Sequence, residues 1–179
     1  MKTNSRDLIL SALFAALTAV GAFLKIPFGV SSLTLQFLFT ALAGVLLGPR
    51  WGALSQAAYV LMGLVGIPVF TQGGGLGYLL QPTCGFLFGL IPAAWLIGRL
   101  TEQKTGFGRV FLASLGGLAV LYLVGIPYMY LILNVYLGKG MSLFAVLNAG
   151  MFLFLPGDLV KLLVTAWAAH PLLRALKHS

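Results

Sequence analysis

Six stretches of this chain, roughly 7–24, 33–47, 51–65, 83–96, 110–127 and 159–173, are almost free of charge, and the breaks between them gather the glycines, prolines and basic residues. Only 8% of all residues are charged and 60% are hydrophobic, against about 25% charged in ordinary soluble domains. One crossing of a bilayer takes about 20 apolar residues, so a chain of this size has room for about six. The pattern predicts an all-α integral membrane protein: a compact bundle of six transmembrane helices forming one membrane-embedded domain over residues 1–179. No room is left for a soluble catalytic or nucleotide-binding domain.

The formal charge of +8 suggests nucleic acid in a soluble protein, but here the basic residues lie at the ends of apolar runs, where they set orientation. No nucleic acid partner is implied; the bilayer is the partner. With six spans, Lys2, Arg6, Arg50, Arg99, Lys104, Arg109, Arg174 and Lys177 fall on one side, and only Lys25 and Lys139 on the other. The positive-inside rule then makes both termini cytoplasmic. The basic start before an apolar run imitates a signal peptide, but the run is long and more spans follow, so it reads as a retained first helix. The single cysteine, Cys84, excludes an internal disulfide and offers no metal cluster.

Inside the apolar pattern, Pro156-Gly157-Asp158-Leu159-Val160-Lys161 places two opposite charges. A charge at bilayer depth costs about 2.5–3.5 kcal/mol on insertion scales and is usually kept for function. With Asp158 as an N-cap, a helix starting there sets Asp158 and Lys161 one turn apart on one face. Two readings are open: a shared polar pocket, or a cap neutralised by a lysine that snorkels to the interface.

The segment from Gly66 to Phe86 is too rich in glycine and proline for a lipid-facing helix and too apolar for a solvated loop. Irregular backbone is tolerated at membrane depth only where it is buried in protein or lines a cavity, so it reads as a lid or pocket wall, with a passive connection as the alternative. A phosphate-cradling loop needs a Gly-Lys-Ser or Gly-Lys-Thr ending, and this stretch has no basic residue. In the six-span topology the loop lies between helices 3 and 4 on the outer side, and the last helix begins on that side too. The remaining breaks read as a turn over 26–32 with Pro27 and Gly29, a tight turn at Gly48-Pro49-Arg50, a stop or kink at Pro127, and a broken, partly interfacial segment over 128–147.

In the first span, Ala12 with Ala16 and Ala15 with Ala19 repeat at four-residue spacing. Small residues so placed let a second helix approach closely, whether from this chain or from a partner.

Taken together, Gly66-Ile67-Pro68-Val69-Phe70, the run Gly73-Gly74-Gly75-Leu76-Gly77, Pro82-Thr83 with Gly85-Phe86-Leu87, and Pro156-Gly157-Asp158 with Lys161 resemble the BioY family. These are the biotin-binding S components of energy-coupling factor transporters. The resemblance implies capture of biotin at a prokaryotic cytoplasmic membrane, with delivery by a T component and two ATPases. It implies docking of the T component on Ala12, Ala15, Ala16 and Ala19. It implies substrate contacts at Asp158 and Lys161 and in the loop at Gln72, Gly73, Gly74, Gly75 and Tyr78. Some family members carry a basic residue before Pro-Thr and a tyrosine after it, where this chain has Gln81 and Phe86.

Biotin's carboxylate, its ureido group and its apolar sulfur ring suit these residues. Asp158 can accept from ureido N–H groups, Lys161 can donate to a ligand oxygen, and Phe70, Tyr78 and Phe86 can wall the rings. No cofactor is implied. An intramembrane enzyme needs a nucleophile with a base, or metal-ligand spacing; His170 and His178 have no carboxylate near them in sequence. A secondary transporter working alone usually carries an internal repeat, and none is evident.

Overall fold

In the computed structural model, which describes residues 5–28 and 31–178, helix α1 (Ser5–Phe23) leads into a short antiparallel hairpin of β1 (Lys25–Phe28) and β2 (Ser31–Thr34). The long helix α2 (Gln36–Leu64) follows, then a 3-10 turn (Leu76–Leu80), α3 (Cys84–Thr101), α4 (Phe107–Leu131), α5 (Leu143–Leu147) and α6 (Leu155–His178). The expected turn over 26–32 is therefore partly a strand pair, and the chain is mostly rather than wholly helical. Gly29 lies outside the described residues.

Among the described residues five helical runs, not six, are long and apolar enough to cross a membrane. The expected second and third spans are joined in α2, whose backbone leaves helical geometry at Gly48 (φ 79°, ψ −177°) just before Pro49. Yet α2 is not straight. Gln36 donates from Nε2 to the Tyr59 hydroxyl at 2.8 Å, although 23 residues of straight helix would separate them by about 35 Å. The helix doubles back at Gly48, and its two arms pack so closely that a Cβ on Gly52 would lie 2.9 Å from the Gly44 Cα. Glycine at 48 tolerates the left-handed φ, and proline at 49 restarts the second arm without needing an N–H donor.

Small residues also set the central packing. A Cβ on Gly98 of α3 would lie 2.5 Å from backbone atoms of Gly48 and Pro49, and one on Gly44 would lie 2.7 Å from the Ala94 carbonyl. Helix α3 thus lies directly on the α2 turn, its other side meeting α4, where a Cβ on Gly117 would strike Ile97. Between helices in lipid, such close approach replaces the hydrophobic effect as a source of stability. Buried polar groups add to it. Gln56 accepts from Thr40 at 2.9 Å and donates to Ser55 at 3.0 Å and Thr18 at 3.3 Å, joining α1 to both arms of α2.

Pro127 does not end α4, which continues to Leu131 and on through a π-helical turn (Ile132–Tyr136). A second π-helical turn (Asn148–Phe152) joins α5 to α6, so 143–176 forms one long apolar run. The break expected over 128–147 is real only between Leu137 and Ser142. There the Asn134 side chain bonds back to Met141, accepting from its N–H at 2.5 Å.

Candidate functional site

Helix α6 begins at Leu155, so Pro156 occupies its first turn, where its missing N–H costs nothing. Asp158 is consequently not the N-cap: its N–H already bonds the Phe154 carbonyl at 2.9 Å. Its carboxylate is free to serve elsewhere. Lys161, one turn on, donates from Nζ to Asp158 Oδ1 at 2.5 Å, and Tyr122 of α4 donates its hydroxyl to Oδ2. Both charged side chains are only 8% exposed, so Lys161 does not snorkel. A buried carboxylate needs such partners, because leaving it unpaired costs several kcal/mol.

The pair lines a cavity between α6, α4, α3, the start of α2, the β-hairpin and the glycine-rich loop. Of the residues singled out from sequence, Asp158, Lys161, Gln72, Tyr78 and Phe86 border it together. The rest do not. Gly73, Gly74, Gly75 and Gln81 lie outside its lining, and Phe70 is a core residue, 1% exposed, packed edge-on to Tyr59 and tilted against Tyr78.

The glycines act by shaping the loop. Gly73 and Gly75 have φ of 114° and 97°, and a Cβ on Gly74 would lie 2.3 Å from the Ile67 carbonyl oxygen. Their small size lets the loop fold onto the end of α2, where the Gly75 N–H bonds the Gly63 carbonyl at 2.7 Å. Phe70 and Gly73 exchange backbone hydrogen bonds. The 3-10 turn that follows is held by the Tyr128 hydroxyl, which donates to the Leu79 carbonyl at 2.5 Å. Tyr78 thereby points into the cavity, its hydroxyl 2.8 Å from that of Thr71.

Sequence reasoning missed part of the wall. Tyr122 carries a polar group inside the apolar run of α4, which was the available signal. Ser32, Leu33, Thr34 and Gln36 come from the hairpin and the first turn of α2, and Thr34 donates to Gln36 Oε1 at 2.9 Å. The hairpin also holds the loop from outside, through a hydrogen bond from Lys25 to the Thr71 carbonyl. Thr83 lines the same cavity with a buried hydroxyl that has no hydrogen-bond partner among the described residues.

On α1 the alanine stripe splits. Ala12 and Ala16 are exposed, whereas Ala15 and Ala19 are buried in the central core. Adjacent helix positions are about 100° apart, so Ala15 and Ala19 face inward and are not available to a partner.

Comparison with known proteins places this architecture. The model of the BioY family matches residues 1–178. The chain belongs to the BioY family. A family relative from Lysinibacillus sphaericus, a probable biotin transporter BioY, is 42% identical over 176 residues, which cover 97% of this chain and 90% of the relative. The biotin transporter BioY of Thermotoga maritima is 38% identical over 165 residues, covering 92% of this chain and 94% of its own. A similar fold is seen in a crystal structure of the S component for biotin from an ECF-type ABC transporter, with a TM-score of 0.71 and 26% identity, covering 100% of this chain and 96% of that one.

Proposed function

We propose that this chain is the substrate-capturing subunit for biotin uptake, holding biotin in the cavity between the Asp158 and Lys161 pair and the glycine-rich loop. The observation that carries the reading is the buried Asp158, Lys161 and Tyr122 cluster facing a cavity that the loop also walls. Relatives similar over nearly the whole chain carry the names biotin transporter and probable biotin transporter.

The cluster retains bonding capacity for a ligand. An ionised carboxylate offers about four lone-pair sites and an ammonium three N–H donors. Asp158 accepts from Lys161 and Tyr122, so two sites remain for the N–H groups of a ureido ring. Lys161 spends one N–H on Asp158 and can give others to a ligand oxygen. Bonds of this kind to charged groups are the strong ones. Phe86, Tyr78, Leu87 and Leu90 supply apolar walls for the ring system, and the Thr83 hydroxyl is a further donor.

In this reading the cavity opens to the outer side and both termini are cytoplasmic. A separate T component and two ATPases, docking across Ala12 and Ala16, supply the energy, and biotin crosses chemically unchanged. Biotin uptake into membrane vesicles carrying the chain with the T component and ATPases tests this directly. Uptake is expected only with the complete assembly and hydrolysable ATP. Equal uptake by the chain alone, driven by an ion gradient, would make it a secondary transporter, and recovery of altered biotin would make it an enzyme.

A further inference from the structure

A second, wider basin lies at the opposite end of α6, walled by the Gly48 turn, the end of α3 and the last turns of α6. Lys161 and Arg174 are about 20 Å apart along the helix axis, and the basin shares no lining residue with the first cavity. Among the described residues its wall gathers Arg50, Arg99, Arg174 and His170 against one carboxylate, Glu102. Glu102 is engaged by Arg99 at 2.6 Å on the rim, so the described wall, with three arginines to one carboxylate, carries a positive balance.

Two indoles, those of Trp51 and Trp95, belong to the same wall, and Trp95 is 49% exposed. Tryptophan is enriched at the headgroup level of bilayers, and basic pockets between transmembrane helices on the cytoplasmic side suit anionic lipid headgroups. An acidic protein surface would meet the arginines equally well but offers nothing specific to an indole beside them. A phospholipid supplies both: a phosphate matching guanidinium geometry and an amphipathic glycerol region. We propose that this basin binds the phosphate of an anionic phospholipid, with Arg50 and Arg174 as donors and Trp95 beside the glycerol. The chain would then carry a lipid site distinct from the ligand cavity.

The test is native mass spectrometry of the full chain released from nanodiscs holding equal phosphatidylglycerol and phosphatidylcholine. Phosphatidylglycerol is expected to stay bound in preference. A basic residue near an anionic surface contributes about fivefold, so Arg50→Gln with Arg174→Gln should lower retention about 25-fold. Arg174→Lys, which keeps the charge, should lower it less than Arg174→Gln, and an unchanged circular dichroism melt shows that a variant is folded. Should the double variant fail to fold, Arg174→Gln against Arg174→Lys carries the test alone. Equal retention of the two lipids, or undiminished retention in folded Arg174→Gln, overturns the proposal. Displacement by millimolar inorganic phosphate would assign the basin to a free anion. Loss of T-component binding in these variants with lipid retention intact would make it a protein-docking surface.

Discussion

Asp158 and Lys161 stand one helical turn apart with 8% side-chain exposure each, so each is affordable only because of the other. Replacing Lys161 with Met should leave the Asp158 carboxylate buried with Tyr122 as its only charge-stabilising donor among the contacts described above, at a cost of about 3–5 kcal/mol. A drop in the detergent thermal transition checks this. Tyr122→Phe is the finer probe: the ring and its edge-on packing against Phe86 remain, and only the hydroxyl is lost. A hydrogen bond to a charged group is worth about 1.5–3 kcal/mol, so biotin affinity should fall about 10-fold or more by calorimetry, and equal affinity would remove Tyr122 from the site. The acidic and basic pair was legible in the sequence because charges are rare in this chain. Tyr122 was not, since its partner lies 36 residues away and only the fold joins them.

Among the elements, close helix contact through glycine makes the sharpest forecast. Gly98→Ala places a methyl 2.5 Å from the backbone of the α2 turn and should destabilise by about 1–3 kcal/mol. Gly116→Ala, on the neighbouring helix, meets only ordinary contacts at 3.7 and 3.8 Å and should be neutral or stabilising by up to about 1 kcal/mol. Thermal unfolding of both variants in one detergent compares them, and equal destabilisation would deny that Gly98 serves close packing. The apolar runs were readable from composition, but their count was not. Gly48-Pro49-Arg50 reads as a tight turn in sequence, and the chain does double back there, but only Gly48 leaves helical geometry, so the two expected spans are the arms of one bent helix. Of the stop or kink expected at Pro127, the stop is not found, because α4 continues past it to Leu131. The hairpin was hidden by its length, since four-residue strands carry almost no periodicity.

Across the whole molecule, α1 carries both faces of the proposed transport cycle: Ala15 and Ala19 pack inward and Ala12 and Ala16 outward. Ala16→Trp should abolish uptake in the assembled transporter while leaving biotin binding unchanged. Ala15→Trp, aimed into the core, should lose both. The four-residue spacing announced a packing helix, but the sequence could not say which alanine pair faces outward, because both pairs have the same spacing and only burial separates them. The claim on which all of this rests is that the cavity beside Asp158 holds biotin. Calorimetric titration of biotin into the purified wild type, Asp158→Asn and Lys104→Ala tests it most directly. Saturable tight binding is predicted for the wild type and for Lys104→Ala, which alters only the exposed linker, with binding at least 10-fold weaker in folded Asp158→Asn. No binding by the wild type, or equal affinity in all three, would contradict it.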